Sequence, residues 1–476
     1  MTDRDSRPAR NARIRALVDS LFEPVDAAWL GAFRVFFGLI MTVSALRFVY
    51  FGWIDDLLLS PPFHFKYWGF EWIEPLAPDA MHALFWVLAA LGVLVAVGVA
   101  TRVAAFLFTL GFTYVQLIDV TIYLNHYYLA SLLGMLLTVA PSERAFSLQS
   151  WLSRRRKPAT VARGWHVLFR FQVGVVYTFA GIAKLHDDWL LHAQPLDIWL
   201  SARTETPLIG PLFRHEFAAP FMSWAGFLYD TTIAWFLLYP RTRPFAFLTV
   251  IFFHSVTSSL FPIGMFPVIM VLSALAFFGP SWPRRLVAAV RCRFAKAEPI
   301  APAPSAALAP HTPPGARTRR LVVGTFAAYA LVQVLFPMRF LLYGGNVRWH
   351  EQGMRFSWRV MVREKNGAIT FRVRERATGR TYFVSPSQYL TPLQEREMSG
   401  QPDLILQLAH HIRDDFEARG RGPVEVRVDA LVSLNGRRST PLIDPEADLA
   451  RISDSLAPAS WILPAPESPP PRRRTI

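Results

Sequence analysis

The residues best suited to chemistry in this sequence are one lysine, two histidines and their polar neighbours, all at the ends of apolar runs. Lys184 closes the run FQVGVVYTFAGIAKL, which also carries Tyr177, and it precedes HDDWL. An ionisable side chain at the edge of hydrocarbon is costly, so it is a functional hypothesis by default. Two readings of Lys184 stay open. Its head can snorkel to the interface, or it can be a desolvated amine that is neutral at physiological pH and serves as a base. Asn125 and His126 lie in LNHYYL, at a tight turn between two apolar runs, where a histidine can equally be held by a neighbouring helix. His254 begins HSVTSSLFPIGMFP. Ser258 and Ser259 there are ordinary helix-packing residues. The Pro-Gly break that follows them is more telling, because irregular backbone at membrane depth must be buried in protein or line a cavity.

Other polar residues read more blandly. Asp187 and Asp188 suit an interfacial cap, or partners standing behind Lys184. His410 and His411 lie on a soluble helix and suit a surface or packing pair better than a metal site. No P-loop, HExxH, cysteine cluster or nucleotide fingerprint occurs. Cys292 is the single cysteine, so no intramolecular disulfide can form.

Helices long enough to cross a bilayer must position these groups. Of the 476 residues, 52% are hydrophobic, and they come in unbroken runs instead of being spread by period. Each run has about the length needed to span ~30 Å of hydrocarbon. Spans are expected near 29–50, 81–100, 103–121, 124–140, 165–183, 220–239, 245–261, 263–280 and 321–343. The net charge of +15 does not indicate a nucleic-acid partner, because its arginines cluster at span ends, where they set orientation. Arg154, Arg155, Arg156, Lys157 and Arg163 fill one basic loop, Arg241 and Arg243 another, and Arg284, Arg285, Arg291, Arg293, Lys296, Arg317, Arg319 and Arg320 a third. With the basic arm Arg4–Arg15 they share one side, so the N-terminus is expected to be cytoplasmic. An odd number of spans then puts the C-terminus outside. All three candidate groups fall toward the outer leaflet on this topology.

The expected fold is therefore an α-helical polytopic membrane protein of about nine transmembrane helices with a C-terminal β-rich extracytoplasmic domain. Residues 1–28 form a basic arm, 29–343 the membrane domain with a Pro/Ala-rich linker at 297–316, 344–455 the outer domain and 456–476 a disordered tail. The aromatic stretches 51–80 and 189–219 are expected at headgroup level or as a roof over a cavity. In the outer domain FSWRVMVREK, AITFRVRER, TYFVSP and VEVRVDALVSL alternate as strands. Asn366-Gly367 and TGR at 378–380 are expected to supply turns, and PDLILQLAHHIRDDFEARG a helix. The basic N-terminal arm leads into a run too long for a signal peptide's core, so no cleavable signal is expected.

Four strings together resemble the vitamin K-dependent gamma-glutamyl carboxylase family, which shares its membrane part with the wider class of HTTM-domain proteins. They are LNHYYL at 124–129, VVYTFAGIAKLHDDWL at 175–190, FFHSVTSSLFPIGMFP at 252–267 and GMRFSWRVMVREKNGAITFRV at 353–373. The resemblance implies an enzyme that uses vitamin K hydroquinone (phylloquinol or menaquinol), O₂ and CO₂. Quinol oxidation to the epoxide generates a base strong enough to take the γ-proton of a glutamyl residue, and the carbanion attacks CO₂. It also implies Lys184 as catalytic base, with Asn125 and His126 near the hydroquinone and His126 taking part in catalysis. Tyr177 and His254 become cofactor-binding candidates, Trp358 and Arg363 substrate-binding ones. Little water and few anions are expected around Lys184, which leaves its amine neutral. The partners implied are a glutamate-containing peptide or protein and the lipid bilayer, in a bacterial inner membrane. The chain is shorter than animal carboxylases in the outer part that recruits propeptides. A noncatalytic scaffold, a transporter, or a quinol-dependent enzyme acting on another acceptor remain open as other classes.

Overall fold

The computed structural model describes residues 6–153, 158–207, 209–295 and 314–471. Arg154–Lys157 and nearly all of the 297–316 linker lie outside the described residues. Twelve helices organise the chain: α1 Ser6–Ser20, α2 Ala28–Tyr50, α3 Pro78–Val97, α4 Thr101–Ile118, α5 Asn125–Val139, α6 Arg163–Ile182, α7 Ala218–Leu238, α8 Arg243–Leu260, α9 Phe266–Ala274, α10 Trp282–Ala295, α11 Ala316–Met338 and, in the C-terminal domain, α12 Pro402–Ala418. Several shorter helical turns connect them.

Each expected span coincides with a helix, but the helices are not equivalent. Among the described residues α2, α3, α4 and the Ala316–Leu342 helix are long and apolar enough to cross a membrane. A fifth crossing results if the pair Phe266–Phe277 and Trp282–Phe294, bent by 98°, counts as one. The others fall short for physical reasons. α5 has 15 residues and α9 only 9. Helices α6, α7 and α8 bury Gln172, Asp230 and His254 inside the bundle, which lowers their hydropathy. Several helices thus have the length and composition of membrane spans, as in a membrane protein.

Buried arginines close the opposite end of the bundle from the break after α8. Arg34 donates to the carbonyls of Val95 (2.5 Å), Ala96 (2.7 Å) and Phe146 (2.5 Å). Arg170 donates to those of Ala276 (3.0 Å), Phe277 (2.7 Å) and Phe278 (3.1 Å). Helix C-termini leave carbonyls without intrahelical partners, and a guanidinium with five donors collects several at once.

The C-terminal domain holds a four-stranded antiparallel sheet in the order β4-β3-β5-β6, formed by β3 Lys365–Glu375, β4 Thr381–Val384, β5 Val424–Leu434 and β6 Thr440–Pro441. Two three-residue strands, β1 Pro24–Asp26 and β2 Thr160–Ala162, pair separately. β3 pairs β5 along its whole length, from Lys365 opposite Leu434 to Glu375 opposite Val424. Inward residues Phe371, Val373, Val426 and Val428 meet Leu404, Leu408 and Ile412 of α12. This core also takes Phe65 and Val120 from the membrane half, so the loop 51–80 anchors the domain instead of lying free on the surface. Gln407 fastens it, exchanging hydrogen bonds with both the backbone N–H and the carbonyl of Lys66.

Two strand expectations need correction. Asn366-Gly367 is not a turn but part of β3, opposite Ser433 and Val432. A Cβ at Gly367 would lie 2.3 Å from the carbonyl oxygen of Ser399, so glycine serves close approach there. FSWRVMVREK is not a strand before Lys365. Phe356, Trp358 and Met361 have φ of 58°, 58° and 52°, incompatible with strand backbone. Arg363 therefore precedes the sheet. TGR does form the β3–β4 turn. Residues 463–471 have no regular structure but follow the domain surface, with Leu463 donating to Leu442 and Arg437 to Ser468.

Candidate active site

Helix α6 ends at Ile182, and the following turn carries Lys184. Gly181 explains its position. A Cβ there would lie 2.5 Å from Cγ2 and 2.9 Å from the backbone nitrogen of Thr231, so only glycine lets α6 and α7 approach this closely. The approach brings Lys184 Nζ to 2.7 Å from Asp230 Oδ2, with both side chains buried. Nζ also donates to the carbonyl of Ala180 at 3.2 Å. The indole of Trp189 lies 5.1 Å from Nζ and is fixed by its own donation to the Ser223 carbonyl.

Asp230 overturns one expectation. Lys184 was expected to face few anions, yet a carboxylate is in direct contact. It was legible in principle, since Asp230 is the one acidic or basic residue of the apolar run Ala218–Leu238. Asp188 does not stand behind Lys184. It accepts from Arg437 (2.6 Å) and Asn435 (2.7 Å), which outweigh its burial and hold its carboxyl at about 2. His410 Nε2 meets the carbonyls of Leu449 and Ile452, and His411 packs on Phe63.

Lys184 lines a cavity of about 740 Å³ whose walls are almost wholly apolar and aromatic. Tyr177, Asp230, Phe253, His254 and Phe266 are among them, and Trp189, Leu196 and Trp199 roof it. The roof comes from the aromatic stretch 189–219, as expected. Phe261 and Ile263 of the helix break also face the cavity, and Gly264 makes the break possible at φ +59°. His254 is buried, and neither ring nitrogen has a hydrogen-bond partner.

A second cavity of about 710 Å³ lies on the side of the C-terminal domain. It is polar: Asn125, Glu351, Arg355, Arg359, Arg363 and Gln401 line it. Arg363 pairs with Glu351 at 2.9 Å, and Arg355 with Asp403 at 2.5 Å. Burial opposes Arg355, but Asp403 outweighs it and keeps the guanidinium above its ordinary value. Arg359 makes neither kind of bond. It lies 4.0 Å over the ring of Phe340, and its Nε is buried without a partner. Burial and the nearby Arg348 lower it to about 10.

The seven residues expected at the site thus divide. Lys184, Tyr177 and His254 share the apolar cavity, while Asn125 and Arg363 line the polar one. His126 is buried at the start of α5 and lines neither cavity, its ring 6.0 Å from that of Phe266, a residue of the Lys184 cavity wall. Trp358 lines neither cavity and stacks on Tyr128 at 5.0 Å. Asp230, Arg355 and Arg359 were missed. Arg359 fell within the strand expected over FSWRVMVREK and Arg355 just before it, so neither pointed to a cavity.

Residues 22–282 match the HTTM domain, and residues 318–468 match the vitamin K-dependent gamma-carboxylase lumenal domain. The chain belongs to the vitamin K-dependent gamma-carboxylase family. The two matches meet at the polar cavity, which takes Asn125 from the first and its arginines from the second. Family membership implies a carboxylase-type protein with vitamin K involvement, a glutamate-containing protein substrate and an extracytoplasmic C-terminal domain. No solved structure matches the chain.

Proposed function

We propose that this protein couples the oxidation of vitamin K hydroquinone by O₂, to the epoxide, with the carboxylation of glutamyl side chains by CO₂. The observation that carries the reading is the Lys184–Asp230 pair, 2.7 Å apart, at the wall of an apolar cavity adjoining an arginine-lined one. On this reading all nine helices on the expected spans lie in a bacterial inner membrane, with the N-terminus cytoplasmic and the C-terminal domain outside.

The residues present fit a quinol. A flat apolar ring system suits walls of Tyr177, Phe253 and Phe266, and His254 offers two unpartnered nitrogens to a ring hydroxyl. When bound, the hydroquinone supplies the electrons that reduce O₂ and hence the strong base that no side chain can provide. The protein's part is proton handling and exclusion of water. The Lys184–Asp230 pair holds a transferable proton, and with that proton on Asp230, Nζ carries the lone pair a base needs. Trp189 and the roof keep water from Nζ, which protects any strongly basic species from quenching. In the polar cavity Arg359, paired with no carboxylate among the described residues, can bind one of the acceptor's, while Arg363 is already committed to Glu351.

The test is ¹⁴CO₂ incorporation into a glutamate-containing peptide by purified protein with reduced vitamin K and O₂, beside Lys184→Ala. Hydroquinone-dependent incorporation that disappears in the variant supports the proposal. Epoxide without fixed label keeps the quinol chemistry and removes the acceptor. Neither product, with quinol binding demonstrated, overturns the enzyme reading.

A further inference from the structure

The two cavities are not simply neighbours. Met361 lines both of them, and it is the one residue common to the two linings among the described residues. Its backbone is in the left-handed region at φ +52°, within a segment where Glu351, Phe356 and Trp358 also have positive φ. Such a conformation is unfavourable for a non-glycine residue, so surrounding contacts must impose it. They do so on both sides. Next to Met361, Val362 is buried against Ala183, the residue before Lys184. On the other side, Val360 donates to the carbonyl of Trp358, which is itself held on Tyr128. The chain is thus pinned around Met361 while the side chain stands only half-buried between an apolar and a polar space.

We propose that the Met361 side chain is the movable partition between the Lys184 cavity and the arginine-lined cavity. At rest it separates the water of the polar cavity from the amine, and an acceptor side chain reaches the apolar cavity by displacing it. Methionine suits this task, since three rotatable bonds and an unbranched thioether let it swing aside without rebuilding the wall. This inference rests on the function proposed above, because it gives each cavity one of the two substrates.

Three methionines make a direct test. Met222 lines only the Lys184 cavity, Met354 only the polar one, and Met361 both. Each is replaced singly by cysteine in full-length Cys292→Ser protein, which has no other thiol. Alkylation by iodoacetamide is then timed with vitamin K hydroquinone, with a glutamyl peptide, or with neither. The expected result is severalfold slowing at 222 by the hydroquinone only, at 354 by the peptide only, and at 361 by either. A thiol at 361 that answers to one ligand alone, or to neither, overturns the partition. The controls separate that failure from the wider one: loss of protection at 222 removes the quinol from its cavity, and loss at 354 removes the acceptor from the other. Unfolding is monitored by the melting temperature of each variant, with Met361→Leu as the bulk-conserving form; in a coupled assay Met361→Leu keeps the wild-type ratio of epoxide to fixed CO₂, while Met361→Ala raises it severalfold. An unchanged ratio in folded Met361→Ala also overturns the proposal.

Discussion

Lys184 and Lys365 both carry buried side chains, and both face a carboxylate, yet they are finished differently. Lys365 gives its protons to the carbonyl of Trp349 (2.7 Å), to Glu351 (3.1 Å) and to the carbonyl of Gly400, so every donor is used. Lys184 has two acceptors, Asp230 and the carbonyl of Ala180, and its remaining side faces the apolar cavity. A saturated ammonium is a structural tie. An amine with one carboxylate and an open face can exchange a proton with something that enters. On the proposed function, the same residue type, buried to a similar depth, is made inert or reactive by what completes its shell.

The largest effect that would sharpen this contrast is loss of activity without loss of fold. Lys184→Ala is expected to abolish both epoxide and fixed CO₂ while the protein still purifies as a folded membrane protein. Lys365→Ala should do the reverse, lowering the melting temperature because Glu351 loses a buried partner. Breaking such a pair costs on the order of 3–5 kcal/mol. If Lys365→Ala were the inactive but stable one, the comparison would be inverted.

Asp230→Asn comes next. It keeps the shape but removes the group that shares the proton, so turnover should fall by about a hundredfold, the lower end for general acid–base groups. Measurement of kcat at several pH values checks it, and an unchanged rate would make Asp230 merely a packing partner. In the polar cavity a smaller split is expected. Arg359→Ala should raise the peptide KM about tenfold, the worth of one hydrogen bond to a charged group. Arg363→Ala should change KM less, because its guanidinium is held by Glu351. Initial rates over a range of peptide concentrations decide the order.

The smallest effect concerns pH. Burial, partly opposed by Glu351, lowers Lys365 to about 8 from its ordinary 10.5. Between these values the unfolded chain binds more protons than the folded one, so stability contributed by this site rises with pH there and is flat below. Denaturant midpoints at pH 8, 9 and 10 should therefore rise more for wild type than for Lys365→Met. Equal slopes would show that Glu351 keeps the lysine charged throughout.

Much of the architecture was readable from residue order. Apolar runs located α2–α9 and α11, though not α1 or α10, because crossing hydrocarbon leaves little freedom in composition. The helix Pro402–Ala418 and the strand Val424–Leu434 announced themselves by period. Residues 356–364 of FSWRVMVREK were misread as strand, since alternation of apolar and polar residues also arises where a chain threads between two environments. Asn366-Gly367 imitated a hairpin turn for a related reason: its glycine answers to the nearby Ser399 carbonyl, which no local pattern reveals.

The sequence by itself determined that Lys184 closes one apolar run and that His254 lies inside another, about two turns before its Pro-Gly break. It also required the break after Leu260 to be buried in protein or to line a cavity, and the structure decides for the cavity. Only the tertiary structure decided which faces meet. The absent side chain of Gly181 admits α7 closely enough to set Asp230 on Lys184, Phe266 lies in the cavity wall and His126 does not, and left-handed backbone turns Trp358 inward and leaves Met361 on the boundary. Rotation about a helix axis and the path of an irregular loop are settled by close packing among distant segments, and that information is not local.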